Sequence, residues 1–464
     1  MSRWRRRDDV PLTGADCFLR SFDDEVRRFN GAGHLSQLVL RLGPGFDVDA
    51  FRALITAVAR TTPILHAPIR RRFAVGAPAY RLAHAARTPL PEVTVHEMAP
   101  SAATREQGDA GLPAIFRERL NARLAIERGE LVRFDVVRYD GGAHGTDLAM
   151  TWAHLLFDGA GSELFIRCLD ECFHGRRPIA DLGRDDGAEA TRLGGTFLER
   201  VRRAREWQER IIGFGAAPPH SLGGPRRHVA QVLTYDVVTL SRTETASVTQ
   251  RAAALAGHLT PVLFYFAAAI RAHDAVFSAR GEDPGHYLVP LPVNLRPKGA
   301  DDAVFRTNIS LLWFHVARQH VGDFAGLLSE LRRQRRAGIR DGMIEKGVAA
   351  MDLVRAAPAR LHVWLARNNL RGELASFYFA FTNDFLPGMD AFLGAEIVNG
   401  FHAPSVMPSP GSSLIMSIRA GRLNVTHIYQ RGAVADDERL RLRAQLLDDL
   451  RGRTSGAERL RSSG

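Results

Sequence analysis

The stretch DLAMTWAHLLF, residues 147–157, restricts the fold more than any other part of the sequence. It opens on one carboxylate, holds one histidine near its end, and is otherwise almost wholly apolar. Apolar and polar residues do not alternate along it, so it reads as a strand buried on both faces. Such a strand needs packed layers above and below it, which calls for helices and sheet together. The run stops at Asp158-Gly159, a turn signal. His154 therefore stands at the end of an interior strand, with a carboxylate on the turn that leaves it.

The flanking sequence fits that demand. Residues 36–42 read as a strand, and residues 47–61 as a helix with Asp47 or Asp49 near its N-cap. Phe51, Leu54, Ile55 and Val58 recur there at helical spacing. Residues 113–126 read as a helix. Residues 131–139 alternate, with Val132, Phe134 and Val136 on one face and Arg133 and Asp135 on the other, as in a half-buried strand. After the turn, residues 161–173 form a helix with Leu164, Phe165, Cys168, Leu169 and Cys172 on its apolar side. The second half has helical patterns at 197–215, 243–257, 261–277, 324–339 and 436–452. Strand patterns fall at 228–241, 287–297, 307–316, 376–383 and 394–404, and a hairpin at 412–431 turns at Ala420-Gly421.

A chain of 464 residues is too long for one ordinary core. Residues 175–195 are rich in Gly, Asp and Arg, and the lobes are divided there, into 1–185 and 186–464. No internal repeat is visible. The fold class is α/β (α+β) in two lobes.

The formal net charge is +11, and nearly all the basic residues are arginine, Lys298 and Lys346 being the only lysines. The arginines are dispersed and no nucleic-acid-binding motif accompanies them, so nucleic acid is not an expected partner. The helix at 197–215 is basic and amphipathic. A solvated surface helix is its ordinary role, and peripheral contact with an anionic membrane is the alternative. Cys17, Cys168 and Cys172 give no disulfide framework and no zinc spacing, so they read as small buried thiols in a reducing cytoplasm. The first residues are basic without an apolar run behind them, which is not the pattern of a secretory signal. The longest apolar run, from Val262, is about half of a membrane span.

A histidine in a strand is ordinarily a hydrogen-bonded core residue. Here it precedes a sharp turn whose carboxylate, if turned inward, needs a cationic partner. Arg296, between apolar residues and Pro297 in PVNLRP, is the candidate.

AHLLFDGAG, residues 153–161, resembles the HHxxxDG signature of the CoA-dependent acyltransferase superfamily, which includes condensation domains, plant-type acyltransferases and bacterial wax ester synthase/diacylglycerol acyltransferases. His154 falls on the second histidine, and Asp158 and Gly159 on the DG. Ala153 replaces the first histidine. VPLTGADCFLRSF, TPILHAPIRRR, and PVNLRP with TNIS resemble further family segments in the expected order. His66 stands where arginine is usual, and Thr307 where glycine is usual. The segment from Phe381 resembles the second lobe of the wax-synthase branch.

The resemblance implies two lobes like chloramphenicol acetyltransferase, with a tunnel between them. It implies acyl transfer from a thioester to a hydroxyl acceptor, a lipid or secondary metabolite, with His154 as general base. Asp158 would then pair with Arg296 and fix the loop. Gly159 would let the backbone turn and the next helix approach. Asn308 and Ser413 are candidate oxyanion donors. The donor would be acyl-CoA or a phosphopantetheine thioester on an acyl carrier protein, with no permanently bound cofactor and no metal. Arg226 and Arg227 are candidates for steering such an anionic donor. Two other readings stand beside this one: a condensation-type enzyme that takes a carrier-bound donor and forms an ester or amide, and a non-catalytic binding relative, which Ala153, His66 and Thr307 favour.

Overall fold

The computed structural model describes residues 9–71, 76–99, 111–182, 194–224, 232–297, 299 and 303–453. The expected boundary at residue 185 and the candidates Arg226 and Arg227 lie outside these residues.

The first half runs β1 (Val10–Pro11), α1 (Gly14–Asn30), β2 (Leu35–Leu42), α2 (Val48–Thr61), β3 (Ile69–Arg70), β4 (Ala79–Tyr80), α3 (Leu82–Ala85), β5 (Glu92–Met98), α4 (Ala114–Asn121), β6 (Val132–Tyr139), β7 (Thr146–Ala153) and α5 (Gly159–Phe173). The second half runs α6 (Phe197–Phe214), β8 (Val232–Thr239), α7 (Arg242–Ala256), α8 (Val262–Arg280), β9 (His286–Asn294), β10 (Ile309–Ala317), α9 (Phe324–Arg340), α10 (Met343–Val354) and α11 (Ala359–Asn369). It closes with β11 (Tyr378–Asp384), β12 (Ala391–Phe392), β13 (Ala395–Pro404), β14 (Ser412–Arg419), β15 (Arg422–Arg431) and α12 (Asp436–Arg451).

The largest sheet has the order β12-β13-β2-β7-β6-β5. Every residue of β2 and β7 is buried, as the apolar run requires. β12 and β13 come from the far end of the chain, so the first sheet is completed by residues 391–404. A second sheet, β11-β14-β15-β8, packs under α7 and α8, and α12 packs on those two helices. A separate β9-β10 pair lies beside it. One buried apolar cluster lies in the first lobe and another in the second, and a third, including Val39, Tyr235, Phe401 and Ile428, joins the two main sheets.

Two sequence expectations need correction. Arg133 and Asp135 on β6 are buried, not solvent-facing. The helix expected over 113–126 also stops at Asn121. The two departures share one cause. α4 covers that face of β6, where Arg119 Nη2 meets Asp135 Oδ1 at 2.9 Å. Arg133 Nη2 donates to the Ala122 carbonyl at 2.7 Å, satisfying a helix-end acceptor where the next turn would have begun.

Candidate active site

β2 and β7 pair in antiparallel register with Leu35 opposite Ala153. The next residue off each strand is a histidine, so His34 and His154 are neighbours. Their ring centroids lie 5.1 Å apart, and the His154 amide donates to the His34 carbonyl at 3.0 Å. β13 lies on the other side of β2 and contributes His402. All three histidines line one cavity of about 1290 Å³, whose walls come from both halves of the chain. Most of the wall is apolar, including Phe22, Trp152, Trp207, Trp313 and Ile415.

His154 is half-buried. Its Nδ1 is 3.2 Å from the Phe157 carbonyl. A carbonyl can only accept, so Nδ1 carries the proton and Nε2 holds a lone pair. Burial pushes the imidazole below its ordinary pKa, against smaller raising effects from backbone hydrogen bonds and Asp158. The ring is thus neutral at neutral pH, with one basic nitrogen.

Asp158 does not face the cavity as a free carboxylate. It caps α5, with Oδ1 accepting from the Gly161 amide at 2.8 Å. Its Oδ2 accepts from Arg296 Nη1 and from the Asn308 amide, both at 2.8 Å. Arg296 also donates Nε–H to the Ala303 carbonyl at 2.8 Å. The segment 303–308 is thereby clasped to the turn after β7. Arg306 donates its amide to the Leu156 carbonyl at 2.7 Å and takes up a left-handed φ of 73°. Its guanidinium meets Asp16 Oδ2 at 3.2 Å, and the Thr307 amide donates to Asp16 Oδ1 at 2.9 Å. Phe157 stacks between Phe165 and Phe305, with centroids at 5.0 and 5.4 Å. Each such ring pair contributes about 0.5–1.5 kcal/mol beyond its buried area.

The remaining candidates separate. Ser413 is buried and lines the cavity. Asn308 is not among the lining residues; its amide Nδ2 donates to the Phe305 carbonyl at 3.3 Å, so its contribution is to Asp158 rather than to an oxyanion. Gly159 is not where the helix approaches closely, since a Cβ there would meet nothing within 4 Å. The tight position is Gly161, where a Cβ would overlap the Val304 carbonyl and come within 2.9 Å of Arg296 Nη2. His66 lies away from this site, its Nε2 bonded to the Ala59 carbonyl at 3.0 Å. Cys17, Cys168 and Cys172 are buried, and no disulfide joins them.

The sequence reading missed His34, His402 and Glu163. Glu163 lies one turn beyond Asp158 on α5 and lines the cavity. Burial pushes its carboxyl up to about 8. No local pattern marks the two histidines, because only the strand order brings them beside His154.

No family model matches this sequence, and no curated protein sequence matches it. Solved structures do match in fold. The first condensation domain of the calcium-dependent antibiotic synthetase superposes with a TM-score of 0.67 at 15% identity, covering 96% of both chains. A trichothecene 15-O-acetyltransferase from Fusarium sporotrichioides gives 0.67 at 11% identity, covering 97% of both. The starter condensation domain of rhizomide synthetase gives 0.64 at 13% identity, covering 96% of this chain and 94% of that one. Over nearly its whole length, then, the chain has the two-lobed mixed α/β fold that these condensation domains and this acetyltransferase share.

Proposed function

We propose that this protein is an acyltransferase that moves an acyl group from a thioester to a hydroxyl acceptor, with His154 as general base. One observation carries the reading. The bond from Nδ1 to the Phe157 carbonyl fixes the tautomer, and it leaves a basic Nε2 on a ring that lines a large, mostly apolar cavity. The acceptor O–H gives its proton to Nε2 as the oxygen attacks the thioester carbonyl. The tetrahedral adduct then expels the thiolate, which takes the same proton back from the imidazolium. Ser413 is the candidate donor to the developing oxyanion. General-base assistance of this kind is worth about 10²–10⁴-fold. Holding two substrates in one desolvated cavity supplies much of the remainder. Asp158 and Arg296 position the loop and take no proton.

The donor is acyl-CoA in this reading. Acyl carrier protein is the second reading, favoured by the condensation domains among the structures of like fold. Thiol release from an acyl-CoA panel, with an alcohol supplied and with an acylated carrier protein in parallel, separates the two. Release from neither donor, with thioester binding retained, would leave a binding protein instead.

A further inference from the structure

We propose that Glu163 and His402 form a second polar station on the cavity wall, shaped to hold a hydroxyl group of the acceptor. This deepens the reading of His154 as base for an alcohol and rests on it.

The hydrogen-bond directions are fixed in sequence. Ser162 Oγ donates to the Gly159 carbonyl at 2.7 Å. Its proton is thereby used, so at 3.1 Å from His402 Nε2 it can only accept, and Nε2 carries the ring proton. His402 Nδ1 is then a lone pair. It is buried without a hydrogen-bond partner, on a residue 5% exposed that lines the cavity. A buried polar atom left so is costly unless something fills the place.

Glu163 Oε1 lies 3.9 Å from that nitrogen, beyond hydrogen-bond range. Glu163 Oε2 is occupied, accepting the Leu386 amide at 2.8 Å. Burial raises this carboxyl, so at neutral pH it holds a proton, which belongs on the unengaged Oε1. Among the charged groups around the pair, Arg167 on α5 favours the carboxylate, while Asp384 on β11 opposes it. His154 and Asp158 act on His402 with opposite sign. The Phe385 ring closes one side edge-on at 5.0 Å.

The wall thus presents one donor and one acceptor, too far apart to bond each other. A hydroxyl oxygen between them accepts from Glu163 and donates to His402 Nδ1. An ether or carbonyl answers only the donor. An ammonium answers only the acceptor, and would require Glu163 to ionise.

The test uses the full chain and three probes, 1-octanol, octyl methyl ether and octylamine. Binding is followed by calorimetry and by the ¹⁵N resonances of His402. The expected result is that 1-octanol binds at least about tenfold tighter than the ether, the worth of one buried hydrogen bond. It should also shift the His402 resonances, and the ether should bind more weakly above about pH 8, where Glu163 ionises and its donor is lost. Glu163→Gln should remove that pH dependence, because an amide still donates, and should keep the preference. Glu163→Leu should weaken both ligands and leave the preference, whereas His402→Phe, which lacks the acceptor nitrogen, should lose it. Equal binding of alcohol and ether to the wild-type chain would overturn the proposal, as would tightest binding of octylamine; neither result depends on a variant folding. Thioester turnover does not enter these measurements. An alcohol that binds as described but is never acylated would contradict the transfer reading and leave the hydroxyl station standing.

Discussion

Two glycines, two residues apart, show how much one methyl group can decide. Gly159 belongs to the DG of the motif, yet a Cβ there meets open space at the first turn of α5. Gly161 is pressed between the Val304 carbonyl and Arg296. Gly159→Ala should therefore change stability by less than about 1 kcal/mol, since alanine favours a helix over glycine by a similar amount. Gly161→Ala should cost about 1–3 kcal/mol, because a backbone carbonyl must move to admit the methyl. Denaturant unfolding of both variants checks the contrast, and equal losses would contradict it. Asp158→Ala tests the clasp. It leaves Arg296 buried without its carboxylate and removes the acceptor of two backbone amides, at a cost of about 3–5 kcal/mol. Chemical denaturation would show the loss directly.

At the scale of elements, the sequence was legible where one force dominated. The apolar run at 147–157 gave β7, and Asp158 gave the cap of α5. The hairpin turn at Ala420-Gly421 has positive φ at both residues, 48° and 72°, as a tight two-residue connection demands. Elements were missed where the signal lay in caps rather than in periodicity. α1 is rich in charge, and its markers are a capping box between Thr13 and Asp16 and a left-handed Gly31 at its end. α10 and α11 also went unread, though Pro358 at the N-cap of α11 was visible in the sequence. Both helices line the cavity, through Met351 and Leu365 among others. The pairing of Asp158 with Arg296 was open to chemical reasoning, since a buried carboxylate needs a cation. The company His34 and His402 keep with His154 was not, because register between distant strands is a property of the folded sheet.

For the molecule as a whole, several histidines are held neutral by burial. His273, His402 and His427 are pushed down to about 4, 3 and 3. The unfolded chain protonates these rings near pH 6.5, whereas the folded chain resists until far lower pH. Folded pKa values below the unfolded ones mean that stability is full above pH 6.5 and is lost as pH falls from there toward about 4. Each ring contributes up to about 1.4 kcal/mol per pH unit across that window. Thermal unfolding from pH 7 to pH 4 should show a steep fall, and His273→Gln should flatten it. The two-lobed architecture serves the site by walling one imidazole with residues from both halves of the chain, which leads to the most direct test. Thioester turnover by wild-type protein and by His154→Gln, compared at saturating donor and equal folded fraction, isolates the proton acceptor. The expected result is a loss of about 10²–10⁴-fold in kcat with the unfolding midpoint unchanged, and a wild-type acid limb in kcat/KM below pH 6.5. Turnover that survives the substitution undiminished would contradict it.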